Sequence, residues 1–218
     1  MGLTLRSDVA CPWATVVLLR LRAARAELRL DDLPIIHVAH SLELRYRTPL
    51  MRSIVDAEIV VCAAATPEFG WSPWFGPLDQ YPVSSLVALE AVQAARQQSE
   101  VAAEQLDLAL REAFFVHSRC ITARHEILVA AGRCDLVDEH ALTDALDSGT
   151  HRAAVIAQSA IGTFSGEVVL PDGSEHCNPG IKKDWLGPSM PKGVPRVIQD
   201  DPSVYRGIVA RAAAISLA

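Results

Sequence analysis

The chain has 218 residues, half of them hydrophobic, and a net charge of −6. That is enough apolar material for one core, or one core carrying an insertion, and the absence of a basic run excludes a nucleic-acid footprint. No segment reaches the roughly 18 consecutive apolar residues of a membrane span, and residues 1–8 lack the charged-then-apolar order of a secretion signal, so the expectation is a cytoplasmic protein with neither nucleic-acid nor membrane partners.

Residues 3–7 alternate as a short strand. Pro12 suits the first turn of a helix, where its missing N–H costs nothing. That helix is expected over 12–29, with Val16, Val17, Leu19 and Ala23 facing inward. "PIIHVAH" (34–40) forms a second strand. A strand, helix and strand of these lengths make a right-handed crossover between two parallel strands. Residues 50–62 read as helix. "TPEFGWSPWFGPLDQYP" (66–82) has no period and is rich in Pro, Gly and aromatics, which predicts an ordered loop.

From residue 83 the apolar residues recur at helical spacing, over 83–98, 100–116, 122–132, 138–147 and 150–160. Thr122 and Asp138 are candidate N-caps, and Gly132 and Gly149 candidate stops. "GEVVLPDGSEHCNPG" (166–180) then reads as strand, turn and return strand. Residues 181–200 are expected as a loop containing Pro188, Pro191 and Pro195. Asp200 or Asp201 should cap a last helix that begins at Pro202. The fold class is therefore α/β with an inserted all-helical subdomain: residues 1–48 and 161–218 form one domain and 49–160 the insertion.

The five cysteines (11, 62, 120, 134 and 177) are odd in number and scattered, as expected of thiols in a reducing compartment. None forms a CxxC pair. His117-x-x-Cys120 and His176-Cys177 lack a second ligand pair at zinc-site spacing, so no metal is assigned. Nothing in the sequence places any of the other four beside Cys11.

"DVACPWAT" (8–15) puts a Cys-Pro-Trp at a strand-to-helix junction, but the fourth position is Ala14. "SDVACPWA" (7–14), "SLEL" (41–44), "YPVSSLVALEAVQAA" (81–95), "LREAFFVHSRCIT" (110–122), "LPDG…NPGI…W" (170–185) and "DDPSVY" (200–205) occur in an order that resembles the DsbA-like branch of the thioredoxin fold. That branch includes FrnE-type proteins, kappa glutathione transferases and 2-hydroxychromene-2-carboxylate isomerase. The resemblance covers nearly the whole chain. It implies a thioredoxin-like fold, a nucleophilic or redox-active thiol at Cys11, a facing loop with a cis-proline before the hairpin, and a homodimer. The chain departs from that pattern at three positions. Ala14 replaces the resolving cysteine. Phe164-Ser165-Gly166 puts Gly166 where the proline is aligned. His40 ends the second strand where an apolar residue is the rule.

The local chemistry adds to this. A helix N-terminus stabilises a thiolate, so Cys11 is expected to titrate below the free-thiol value of about 8.5. Neighbouring parallel strands end on one edge of the sheet, which brings His40 toward Cys11 as an acid/base; the alternative is a packed histidine bonded to a loop carbonyl. His37 is read as packed. Trp13, Trp71, Trp74 and Phe75, with Pro12 setting the first turn, are candidate walls for a flat apolar ligand, or else cement between insertion and sheet. Ser165 could serve a ligand oxygen, and Gly166 leaves room beside the sulfur.

Three readings follow. In the first, the Cys11 thiolate adds reversibly to a conjugated acyl group, free or carrier-bound, and isomerises its double bond, with His40, Ser165 or amides holding the enolate oxygen. In the second, Cys11 is a monothiol oxidoreductase or transferase working with glutathione or mycothiol as co-substrate. In the third, Cys11 is vestigial and the protein is a binding module. No further cofactor is expected.

Overall fold

In β1 (Leu3–Ser7) buried and half-buried residues alternate, and β2 (Ile35–Ala39) repeats the pattern. The computed structural model, which describes residues 1–162, 164–177 and 202–217, pairs the two in parallel from Leu3 opposite Ile35 to Ser7 opposite Ala39. Helix α1 (Pro12–Glu27) makes the crossover, with Pro12 in its first turn. β3 (Glu167–Val169) runs antiparallel to β1, and β4 (Glu175–Cys177) antiparallel to β3, giving the order β2-β1-β3-β4. The Pro-Asp-Gly turn between them is locked by Asp172, whose carboxylate accepts from the Ser174 N–H at 2.9 Å.

The final helix, α9 (Pro202–Leu217), packs on α1. Leu3, Leu5, Val17, Leu18, Leu21, Ile35, Val168, Tyr205 and Val209 form the core on that side. The inward stripe of α1 is thus Val17, Leu18, Leu21 and Ala24 rather than one that includes Leu19 and Ala23, the latter being exposed. The helix is gripped from two sides, by α9 and by α3, and its burial does not follow a single stripe.

The helical block comprises α2 (Leu42–Tyr46), α3 (Arg52–Ala65), α4 (Leu86–Gln98), α5 (Glu100–Phe115), α6 (Arg124–Ala131), α7 (Glu139–Ser148) and α8 (Arg152–Ser159). The only chain between α4 and α5 is Ser99, whose hydroxyl accepts from the Ala102 N–H and caps α5. Asp138 caps α7 through the His140 and Ala141 N–H groups, Gly132 ends α6, and Gly149 ends α7 at φ +61°. Thr122 does not cap α6. Ala123 holds the cap position, and the Thr122 hydroxyl donates instead to the Ser84 carbonyl at 2.7 Å. The expected loop at 181–200 and the caps Asp200 and Asp201 lie outside the described residues.

α4, α5 and α8 lie directly against β2, so the block is laid on the sheet. Its core (Leu89, Val92, Leu106, Leu110, Phe114, Phe115 and Ile127) takes in Val9, Ala10 and Ala39 from the strand ends.

A buried cation also lies within this contact. Arg111 on α5 is fully buried. Its Nε and Nη2 donate to the two oxygens of Asp107 at 2.6 and 3.1 Å. Nη1 donates to the Asp8 carbonyl at 3.1 Å and the Thr15 hydroxyl at 2.8 Å, and Nη2 to the Ser7 hydroxyl at 2.8 Å. A fork of this kind suits guanidinium geometry and satisfies a charge that burial alone would penalise. Burial opposes ionisation of Asp107, but Arg111 and then His37 outweigh it and hold the carboxyl well below the usual carboxylate range. The stabilisation it gives is therefore present above about pH 4 and is lost as pH falls through the depressed Asp107 value. Arg111→Ala strands the Asp107 charge in the core and should lower the unfolding free energy by about 3–5 kcal/mol, read from urea denaturation at pH 7. A loss of about 1 kcal/mol or less, the worth of an exposed pair, would remove Arg111 from this role.

Candidate active site

Cys11 is the N-cap residue of α1, with extended backbone at φ −92° and ψ 113°. Its N–H donates to the Asp8 carbonyl at 3.1 Å, and its own carbonyl accepts from the Thr15 N–H and hydroxyl at 3.1 and 3.0 Å. Because Arg111 holds both the Asp8 carbonyl and the Thr15 hydroxyl, the turn carrying the sulfur is pinned from beneath.

Asp8 anchors the same turn from the side. It is buried, and its Oδ1 accepts from the Ala10 N–H at 2.9 Å. Its Oδ2 accepts from the Leu42 N–H at 2.8 Å and from the Ser85 hydroxyl at 2.9 Å. One carboxyl thus joins the thiol-bearing loop to the starts of α2 and α4. Burial pushes its pKa up, against these bonds and the Arg111 charge.

Ser165 arrives from the loop before β3. Its Oγ accepts from the Asp8 N–H at 2.9 Å, and its side chain favours the thiolate form of Cys11. Next to it, Gly166 adopts φ +95° and donates its N–H to the Arg6 carbonyl at 2.8 Å. Proline, fixed near φ −65° and lacking an N–H, cannot take that conformation or that bond.

Cys11 is only 5 % exposed. Burial pushes its thiol above the ordinary value, and the Glu58 carboxylate on α3 adds to this; Ser165 and the Ala14 N–H pull the other way. The lowered pKa expected from the helix N-terminus is thus corrected: loss of solvent at the sulfur outweighs the helix end.

His40 is fully buried at the end of β2, where its N–H donates to the Ser7 carbonyl at 3.0 Å. Its Nδ1 lies 3.2 Å from the Ile161 carbonyl. A carbonyl can only accept, so Nδ1 carries the proton. Nε2 keeps a lone pair with no partner among the described residues, and burial lowers the ring pKa, which keeps it neutral. The ring is bonded to a loop carbonyl and not to Cys11. His37 sits 3.4 Å from Asp107 in the buried strut.

The aromatic candidates part company. Trp13 is buried in one small cluster with Cys11, Ala14 and Val16, and Trp71 packs against that cluster. The Trp71 indole donates to the Thr66 carbonyl and hydroxyl at 3.1 and 3.0 Å. Trp74 belongs to the core of the helical block, with ring centroids 5.2 Å from Tyr81 and 6.0 Å from Phe114. Phe75 is exposed and lines a separate cleft of about 340 Å³ with Ala113, His117, Arg119 and Val129. Pro12 is buried at the start of α1.

Asp8, Glu58, Ser85 and Arg111 were assigned no role from sequence. Asp8 lies inside the thiol motif, so its position was visible. The others reach the site only through tertiary contacts.

The chain matches no protein-family model and no curated protein. Solved structures do resemble it over almost its full length. A cytosolic disulfide reductase, DsbM, from Pseudomonas aeruginosa matches with a TM-score of 0.64 and 20% identity, over 100% of both chains. The same reductase with GSH matches at 0.61 and 17%, covering 98% of this chain and 100% of that one. A probable DsbA oxidoreductase from Streptomyces coelicolor matches at 0.65 and 15%, covering 98% and 90%. The protein therefore has the DsbA-like thioredoxin fold with a helical insertion.

Alkylation of Cys11 by iodoacetamide, followed on its peptide by mass spectrometry, should rise with pH through a midpoint above the free-thiol value of about 8.5. Only the thiolate reacts, so an upward shift delays the rise. Ser165→Ala should move the midpoint further up, since the serine side chain favours the thiolate. A midpoint below 8.5, or no effect of the serine, would contradict this balance.

Proposed function

We propose that the protein is a monothiol thiol–disulfide oxidoreductase or transferase in which Cys11 exchanges with disulfides and a low-molecular-weight thiol, glutathione or mycothiol, is the co-substrate. The observation that carries this reading is Cys11 at the N-cap of α1, in a turn that Ser165 holds through the Asp8 N–H. That the similar structures are a disulfide reductase, one of them with GSH, and a DsbA oxidoreductase supports it.

The steps balance as two exchanges. Cys11 loses its proton and attacks the glutathione sulfur of a mixed disulfide. The S–S bond breaks, the substrate thiolate leaves and takes up a proton, and glutathione stays on Cys11. A second glutathione thiolate then attacks its sulfur, which releases oxidised glutathione and restores Cys11. Because the resting thiol has a raised pKa, the Ser165 hydroxyl and the Ala14 N–H act when the charge forms, and again when Cys11 departs as thiolate.

Reversible addition to a conjugated acyl group would use the same sulfur. The relatives in structure favour exchange over it. One experiment separates the two: turnover of a glutathione mixed disulfide, coupled to glutathione reductase and NADPH, with mycothiol and its reductase run in parallel. Turnover should require the added thiol, rise with pH as the thiolate forms, and fall at least about 100-fold in Cys11→Ser. Activity that survives Cys11→Ser would overturn the proposal. So would thiol-independent isomerisation of a conjugated acyl thioester by a protein inactive in the coupled assay.

A further inference from the structure

Helix α3 has two buried faces. Val55 and Ile59 belong to the core of the helical block. Val61, Cys62 and Ala65 turn the other way, onto the small cluster that contains Cys11, Trp13, Ala14 and Val16. Glu58 precedes these three at the spacing of one helical stripe, so it continues that face by a turn toward the start of α3. Glu58 itself is half-buried.

Two observations give the sense of the packing. α3 lies against α1, and near its C-terminal end the Ala65 carbonyl accepts from Arg20 of α1 at 2.6 Å. The Glu58 end of the stripe therefore points back along α1, toward the turn that carries the thiol. Side chains on a helix lean toward its N-terminus, which takes the carboxylate further the same way. The electrostatics agree: Glu58 is the foremost charge acting at Cys11, and Asp8 acts with the same sign. A charge works over several ångströms and needs no contact.

The two co-substrates named above differ in this property. Glutathione is a net anion through its carboxylates, one of them on the residue next to its cysteine. Mycothiol has no ionised group apart from its thiol. The release step is the same for both. Their thiolate attacks the sulfur bound to Cys11, a new S–S bond forms as the bond to Cys11 breaks, and Cys11 leaves as thiolate and takes up a proton. Glu58 opposes the charge common to both thiolates alike. The carboxylates of glutathione are an added like charge, and like charges brought together discriminate against a partner.

We propose that Glu58 is a specificity-determining residue that selects an uncharged low-molecular-weight thiol, of the mycothiol kind, over anionic glutathione. This deepens the exchange reading above and rests on it.

The test loads Cys11 of the whole protein with uncharged 2-hydroxyethyl disulfide. It then measures the second-order rate of discharge by mycothiol and by glutathione, from quenched samples by intact mass. The ratio of the two rates cancels any effect of a substitution on Cys11 itself. Wild type should favour mycothiol, and Glu58→Gln should cut the ratio by about 3–10-fold. Glu58→Asp, which keeps the charge, should keep most of it. Raising NaCl to about 0.5 M should lower the wild-type ratio and leave that of Glu58→Gln in place. A ratio unchanged in Glu58→Gln, a wild-type ratio indifferent to salt, or faster discharge of wild type by glutathione would overturn the inference while leaving exchange at Cys11 intact. If the disulfide does not load Cys11, or neither thiol discharges it, the exchange reading itself fails and this inference falls with it. The salt series uses wild type alone, so a variant that fails to fold does not spoil the test.

Discussion

The buried pair of Arg111 and Asp107 is the constraint on which the site depends. A guanidinium in an apolar interior survives only if each of its donors is used. Here two bonds go to Asp107 and the rest to Ser7, the Asp8 carbonyl and Thr15. These acceptors frame Cys11 on both sides in sequence. The helical block therefore sets the position of Cys11, although Cys11 belongs to the turn between β1 and α1. Its packing on β2 and the pinning of the thiol turn share one helix, α5.

Around that support the site is assembled from distant segments by short polar contacts. Asp8 draws in α2 and α4 through Leu42 and Ser85, and its N–H holds Ser165. Ser165 in turn favours the thiolate form of Cys11. The thiol is consequently enclosed, and enclosure decides its chemistry. The end of a helix would sharpen an open thiol, but desolvation and the Glu58 carboxylate dominate at this one. The geometry is suited to developing a thiolate on demand and less to storing one.

Much of the architecture was legible in the sequence because it is written in periods. The alternation of Leu3–Ser7 and of Ile35–Ala39 gives the strands, and the long apolar repeats give α4 and α5. α2 left no such trace, since five residues hold barely more than one turn. Of the candidate site, the sequence marks the Cys11 turn and the loop that carries Ser165, and much less the electrostatics around them. Arg111 stands 103 residues from Asp8 along the chain, and no local pattern marks either as a partner of the other. His40 shows the same boundary. The strand-edge rule puts it at the correct end of β2, but the orientation of its ring is set by the Ile161 carbonyl. Trp74 lies in the helical-block core, while Trp71, three residues before it, packs against both that core and the cluster around Cys11.

The backbone at residue 166 restricts which residue can stand there. Its positive φ and its bond to Arg6 are both closed to proline. Gly166→Pro would therefore disturb two things at once, the backbone angle before β3 and the first bond that ties this loop to β1. Because Ser165 is the preceding residue and holds the Asp8 N–H, a change of glycine at 166 would be felt at the Cys11 turn without touching it.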